Sequence, residues 1–355
     1  MPEGFIPSQM RRTNRNLFIT SLVITLVVAA IFAGTRRYWF NYFAGPFATP
    51  NDQLIKTHSA DDLDRYFVTV QGTSIDHTGY EHVTTTVDKY THKEKSREVD
   101  GAYLALEVDD HILLVKADTE LTQTKLSGFL TGFTDSVDAQ VFAAFRKENP
   151  EVAAMVLPVM LDVTGFRGWG TVGLVIMVLT LAICARNFAA LAGRSRDSTR
   201  HPIWVQLAKL GDARDLSARL DEEIRATDVV KLSSLTITRS WLLNRNAYGL
   251  NMFALKDLVW MFKKVTAHKK AFVTVSKTYE AIIWARNGEK LELQWKEPAI
   301  DQLFGTLTKR VPWILAGWTA ELEKAWLTQR ASVIGAVDQR KAEITAGKVE
   351  APTGT

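Results

Sequence analysis

The 355-residue chain contains one cysteine, Cys184. An intramolecular disulfide is therefore excluded, and any soluble part must be stable without covalent staples. The strings that signal common chemistries are missing too. There is no His-Glu-x-x-His, no Cys-x-x-Cys, no Gly-x-Ser-x-Gly elbow and no Walker A loop. Zinc hydrolysis, dithiol redox chemistry, elbow-type acyl transfer and P-loop phosphoryl transfer thus have no local signature. No Asn-x-Ser/Thr sequon occurs, which is compatible with a bacterial envelope protein.

Charge is absent altogether from two stretches, `LFITSLVITLVVAAIFAG` (17–34) and `GWGTVGLVIMVLTLAICA` (168–185). At about 1.5 Å of rise per residue, each is long enough to cross a hydrocarbon core with some help from its flanks. Both read as transmembrane helices. Tyr38, Trp39, Phe40 and Tyr42 after the first run and Trp169 in the second suit an interfacial aromatic belt. A cleaved signal peptide competes for the first run, because Arg11, Arg12 and Arg15 precede it. The run is longer than a usual signal core, however, and Ile31-Phe32-Ala33 is a poor small-x-small cleavage site. The shorter run `VAAMVLPVML` (152–161) contains Pro158 and is closed by Asp162, so it reads as a core or interfacial segment.

The basic residues near the spans give the orientation. Arg11, Arg12, Arg15, Arg186, Arg194, Arg196 and Arg200 flank the outer ends of the pair, against Arg36, Arg37 and Arg167 on the intervening loop. The positive-inside bias therefore puts both termini in the cytoplasm, with a localisation in the cell (inner) membrane. The soluble parts agree: residues 51–162 carry 20 acidic and 10 basic side chains, residues 186–355 carry 18 and 27. A basic inner part is expected beside an anionic leaflet.

This divides the chain into a cytoplasmic N terminus (1–16), the first span (17–34), an extracytoplasmic β-rich domain (50–164), the second span (168–185), a cytoplasmic helical segment (200–228), a β domain (229–330) and a disordered tail (341–355). In the outer domain, `RYFVTVQ`, `EHVTTTV`, `AYLALEV` and `ILLVK` read as strands of a small sheet or barrel. A helix opening at Ser136, with Val137, Val141 and Phe145 on one stripe and Pro150 at its end, would cap it. In the inner part, Asp212 is placed to cap a helix with Leu216, Leu220 and Ile224 on one face. Seven strands follow: `LTIT`, `SWLLN`, `LNMFA`, `LVWMFKKV`, `AFVTV`, `YEAIIWAR` and `KLELQW`, then helical sequence from Pro298 to Lys309 and from Thr319 towards Arg340. Asn287-Gly288 between the last two strands predicts a two-residue type I′ hairpin, with Trp284 facing Leu291 and Ile282 facing Leu293.

Seven antiparallel strands closed by a helix, with `LTITRSWLLNRNAYGLNMFALKDLVWMFKKV` and `VPWILAGW` inside them, resemble the pleckstrin-homology-like (YcxB-type) domain of uncharacterised bacterial two-span membrane proteins, over about residues 229–330. The fold class expected is therefore an α+β membrane protein: two transmembrane helices, a small extracytoplasmic β-sheet or barrel domain with a helix, and a cytoplasmic seven-stranded β domain with a C-terminal helix. The resemblance implies a binding or regulatory role and supplies no catalytic residues, metal or cofactor.

Few constellations could carry chemistry. His58, His77, His82, His92 and His111 lie among the carboxylates of the outer domain, but His77 and His82 are five apart, a spacing of neither a helical nor a same-face strand pair. Asp109 and Asp110 sit where a turn favours Asp for backbone reasons. The run `FKKVTAHKK` gathers Lys263, Lys264, Lys269 and Lys270, a candidate patch for anionic lipid head groups that competes with an ordinary solvated face. Trp260 and Phe262 beside it read as sheet core rather than a stacking platform, which argues against a nucleic-acid partner. The expected partners are the lipid bilayer, anionic head groups and other membrane or envelope proteins. The expected function is non-enzymatic binding, scaffolding or relay; the alternative is an envelope enzyme with its site in the extracytoplasmic domain.

Overall fold

The computed structural model describes residues 4–89, 93–118, 121–133, 143–144, 146–148, 150–270 and 273–347. The chain divides into two compact units, one made of Met1–Thr20 with Asn187–Thr355, the other of Ser21–Arg186. Two long helices, α1 (Phe5–Gly34) and α5 (Phe166–Arg196 below), contain apolar stretches long enough to cross a membrane, and little of either stretch is buried by protein.

In the Ser21–Arg186 unit, α1 is followed by α2 (Arg36–Ala44), β1 (Phe47–Ala48), α3 (Asn51–Ile55), β2 (Phe67–Gln71), β3 (Ile75–Val87), β4 (Glu94–Val108), β5 (His111–Ala117), β6 (Lys125–Thr131), α4 (Pro150–Ala153), β7 (Val156–Asp162) and α5 (Phe166–Arg196). The strands form one mixed sheet in the order β1-β2-β6-β7-β5-β4-β3. Its core is built from Val68 and Val70 on β2, Leu104 and Leu106 on β4, Leu113 and Val115 on β5, and Leu157, Val159 and Leu161 on β7. The run containing Pro158 is thus a core strand. It is tolerated inside the sheet because Pro158 falls where the β5–β7 register is irregular and where β6 has no paired residue. Pro150 is the first residue of α4; residues 143–144 and 146–148 before it are helical as well, and Asn149 between them lies outside the described residues. Ser136, Val137, Val141 and Phe145 lie outside the described residues, as do Thr91 and His92.

Asn41 fastens α2 to this sheet. It is fully buried, its amide nitrogen donates to Arg37 O and Asp64 O, and its Oδ1 accepts from Tyr66 N and Phe67 N at 2.9 and 3.0 Å. All four of its hydrogen-bonding positions are used, which is what a buried amide requires. Tyr38 packs on Phe166 at 5.0 Å, and Gly170 permits the approach of α2 to α5, since a Cβ there would meet the Tyr38 hydroxyl.

The other unit contains α6 (Pro202–Leu210), α7 (Ala213–Arg225), β8 (Val230–Leu232), β9 (Leu235–Ile237), β10 (Trp241–Arg245), β11 (Leu250–Ala254), β12 (Leu258–Lys270), β13 (Val273–Ala285), β14 (Lys290–Gln294), α8 (Glu297–Arg310), β15 (Leu315–Ala316), α9 (Ala320–Thr328) and α10 (Arg330–Thr345). Two four-stranded sheets result, β11-β10-β9-β8 and β14-β13-β12-β15. Asp212 caps α7, its Oδ1 accepting from Arg214 N and Asp215 N. Ile300, Leu303 and Leu307 of α8 close a core shared with Leu242, Met261, Ile283 and Leu291. The first turns of α1 belong here as well: Ile6 and Met10 are buried against Ile203, Leu207, Leu220, Leu243 and Met252. Segment 1–16, expected as a cytoplasmic N terminus, is thus largely the start of a helix docked into a core.

Three expectations are corrected. `AFVTV` and `YEAIIWAR` are one continuous strand, β13, because `SKT` between them carries no Gly, Pro, Asn or Asp to break it; the seventh strand is β8. The tail is helical as far as Thr345, with Val333 and Val337 of α10 buried, and residues 348–355 lie outside the described residues. The hairpin loop has three residues rather than two. Ala285 N donates to Glu289 O, Gly288 N donates to Ala285 O, and Gly288 but not Asn287 takes positive φ (84°). That is a tight turn followed by a left-handed glycine, the common three-residue alternative to type I′. Ile283 then faces Leu291 and Ala281 faces Leu293, while Trp284 faces Lys290 and Ile282 faces Glu292. A one-residue slip moves every side chain to the other face. Trp284 and Ile282 consequently leave the main core for the opposite side of the sheet.

Candidate functional site

On that opposite side, Trp260 of β12 is the cross-strand partner of Trp284, and Phe262 that of Ile282. A register shift between Leu258 and Trp260 lets Leu258 and Met261 both reach the main core despite their odd spacing. Over the face that carries Trp260 and Trp284 lies α9, whose start is fixed by Thr319, with Oγ1 accepting from Leu322 N at 3.1 Å. This brings Trp326 to 5.5 Å from Trp284 and 6.3 Å from Trp260, ring centre to ring centre. Arg286, bidentate on Asp338 at 2.5 and 2.8 Å, ties the hairpin to α10; this contact raises the guanidinium pKa and lowers that of the carboxyl.

Between sheet and helix opens a groove of about 460 Å³, within the size range of small-molecule sites. Trp260, Phe262, Ile282, Trp284 and Trp326 form its apolar walls, Val265, Trp318 and Leu327 its exposed rim, and Lys263, Lys264, Lys290, Glu292 and Glu323 its charged residues. Trp260 Nε1 donates to Gly317 O and Trp318 Nε1 to Glu323 Oε2. The indole N–H groups of Trp284 and Trp326 are shut off from solvent without an acceptor among the described residues. The indole faces are met by the chain's own cations, Lys290 at 5.3 Å over Trp284 and Arg330 at 5.2 Å over Trp326. A groove so lined can take apolar matter. Its lysines and glutamates are engaged in ion pairs or indole hydrogen bonds, Lys290 with Glu292 and Lys264 with Glu280, and none is set as a general base beside a nucleophile.

The four candidate lysines do not share one face of β12. Lys263 and Lys264 are adjacent and point oppositely. Lys263 is clamped by Glu297 at 2.8 Å and Asp301 at 2.9 Å, which raises its pKa and, with Tyr279, lowers that of Glu297. Lys264 is more than half exposed and meets Glu280 at 3.3 Å. Lys269 and Lys270 lie at the far end of the strand, and their side chains are outside the described residues.

In the other unit, Asp109 occupies the β4–β5 turn with φ +53° and its carboxylate accepts from Asn51 Nδ2 at 3.1 Å, so its place is explained by backbone geometry. Among the described residues no three His, Cys, Asp or Glu side chains converge as a metal site. The string Gly168–Gly173, `GWGTVG`, has the glycine spacing of a dinucleotide loop but lies wholly within α5, where Gly170 serves close packing. The groove was missed from sequence because Trp318 and Trp326 lie far along the chain from Trp260 and Trp284. The one local signal was the density of tryptophan.

A protein-family profile described as a domain of unknown function (DUF6709) matches residues 217–326. The match runs from within α7 to Trp326, so both sheets, α8 and nearly all of the groove fall inside it, and it shows no YcxB-type or pleckstrin-homology-like family. No curated protein and no solved structure matches the chain.

Proposed function

We propose that this is an integral protein of the bacterial cell membrane with two spans and both termini in the cytoplasm, coupling an extracytoplasmic β domain to a cytoplasmic pleckstrin-homology-like binding module that acts as a non-enzymatic scaffold or relay. The observation that carries this is the division of the two long helices: the basic N-terminal end of α1 and the basic C-terminal end of α5 both belong to the unit with the two small sheets, and the apolar stretches between expose Val23, Leu26, Val175 and Ile183. Four strands, β8 to β11, then three, β12 to β14, then α8 supports the pleckstrin-homology-like reading. Sidedness is tested with single cysteines in a Cys184→Ala background and an impermeant maleimide on intact cells. Asp110→Cys should label from outside and Asn287→Cys only after the membrane is opened; the reverse pattern inverts the protein.

Anionic head groups are the proposed ligands of the β12 lysines. Lys263 is already neutralised by two carboxylates, so Lys264, Lys269 and Lys270 carry the reading, at about 1 kcal/mol each near an anionic surface. Phosphatidylglycerol retained by the detergent-purified chain should fall when all four lysines become Gln, and should fall more steeply with salt in the native chain than in the four-Gln chain. Equal retention by both proteins would return the strand to a solvated face.

A further inference from the structure

The turn between β10 and β11, Asn246–Gly249, lies against the start of the first apolar run. Asn16 Nδ2 donates to Ala247 O at 2.8 Å, and Thr20 Oγ1 meets the Tyr248 hydroxyl at 3.0 Å. The turn is set by its own bonds: Tyr248 N donates to Asn246 Oδ1 and Asn246 N to Gly249 O. The Tyr248 ring therefore contributes little to the core and stands 53 % exposed. Thr20 is three residues beyond Leu17, where the uncharged run begins, hence about 4.5 Å along the helix axis. Phe18 at the same level is 48 % exposed. Arg12 sits two turns before Thr20 on the same helix face, and Arg12 and Arg15 are both exposed.

We propose that the Asn246–Gly249 turn is a membrane-surface contact, with Tyr248 seated in the head-group layer of the leaflet that α1 enters and Arg12 and Arg15 directed to its anionic head groups. The occupant is the bilayer itself, argued from continuity with the span: a residue bonded to Thr20 stands at the depth of Thr20. An amphipathic ring with its hydroxyl held by a polar partner suits that layer, and arginines just outside it suit the phosphates. The contact fixes the β8–β11 sheet with its β10–β11 end towards the membrane, on a different sheet from the β12 lysines. It rests on the reading of residues 17–34 as a span.

The test is a nitroxide at Ala247→Cys, which leaves Tyr248 in place, in the full chain carrying Cys184→Ala and reconstituted into phosphatidylcholine–phosphatidylglycerol vesicles. Val23→Cys and Asn287→Cys are the reference sites. Collision with oxygen should exceed collision with a water-soluble nickel chelate at 23, the order should reverse at 287, and 247 should fall between, shifting towards the 287 value when Tyr248→Ala is added. A value at 247 equal to that at 287, with 23 still lipid-like, overturns the contact alone. A water-like value at 23 removes the span and the contact with it. Insensitivity of 247 to Tyr248→Ala overturns Tyr248 as the anchor.

Discussion

Replacing Trp326 by alanine should accelerate amide hydrogen exchange across β12, β13 and β14 by about a thousandfold while leaving the β1–β7 sheet unchanged. Trp326 is 1 % exposed and joins α9 to Trp260, Trp284, Phe262 and Ile282 on one side and to Val333 and Val337 of α10 on the other. Truncating a buried tryptophan costs about 3–5 kcal/mol in lost transfer energy and unfilled volume. Each 1.4 kcal/mol is a factor of ten in an opening equilibrium. One feature of this site works the other way. The Trp326 N–H has no acceptor among the described residues, and a buried unmet donor costs about 1–3 kcal/mol. Trp326→Phe discards that donor along with some ring area, so it should exchange much more slowly than Trp326→Ala and approach the native rate. Local exchange is the right readout, because a two-unit chain has no single unfolding free energy. If Trp326→Ala left β12–β14 protected, α9 would not be what covers that face, and the groove would lose its wall.

What could be read from the sequence was whatever a short window decides. The two uncharged runs, the Asp212 cap with Leu216, Leu220 and Ile224 behind it, and the strand character of `LVWMFKKV` and `KLELQW` all depend on neighbours within one or two turns. What could not be read depended on distant partners. The hairpin register follows from a three-residue loop in which Arg286 N donates to Asp257 O and the Arg286 side chain is held by Asp338, neither visible in the Asn-Gly pair. The strand role of `VLPVMLD` depends on an irregularity in pairing with β5 that makes room for Pro158. Ile6 and Met10 look like part of a polar, basic N terminus until Leu207, Leu220 and Leu243 are brought against them. The groove needed the corrected register, since with Trp284 opposite Leu291 its indole would have faced the main core. The alternation along β12 likewise splits a lysine cluster that is compact in sequence into two faces.

Acidification from pH 6.5 to 4 should destabilise the unit containing α6 by up to about 3 kcal/mol, and His201 should account for the loss. His201 is 1 % exposed and caps α6, its Nδ1 accepting from Ile203 N at 3.1 Å. The ring proton therefore sits on Nε2, which donates to Thr13 Oγ1 at 2.9 Å, and Thr13 in turn donates to Met10 O. This chain joins α6 to α1 and is complete only with a neutral ring. Burial, and then the nearby Arg194 cation, hold the imidazole pKa down at about 4, against 6.5 for an ordinary histidine. Between those values the unfolded chain binds a proton that the folded chain refuses, so stability rises with pH across the window. It is whole above 6.5 and is lost as pH falls through 4. The carboxyls of Asp197, Asp212, Glu297 and Asp338 are held below their ordinary values by hydrogen bonds, so their contributions begin to fade only at the acid end of the window, as pH falls below those ordinary values, and leave the range from 6.5 to about 5 to the histidine. His201→Asn keeps an acceptor for Ile203 N–H and removes the titration. Hydrogen exchange in α6 and in the first turns of α1 should then be nearly flat from pH 6.5 to about 5 after correction for intrinsic rates, and faster than native at neutral pH because the link to Thr13 is lost. The native slope persisting in His201→Asn would assign the acid sensitivity to another group.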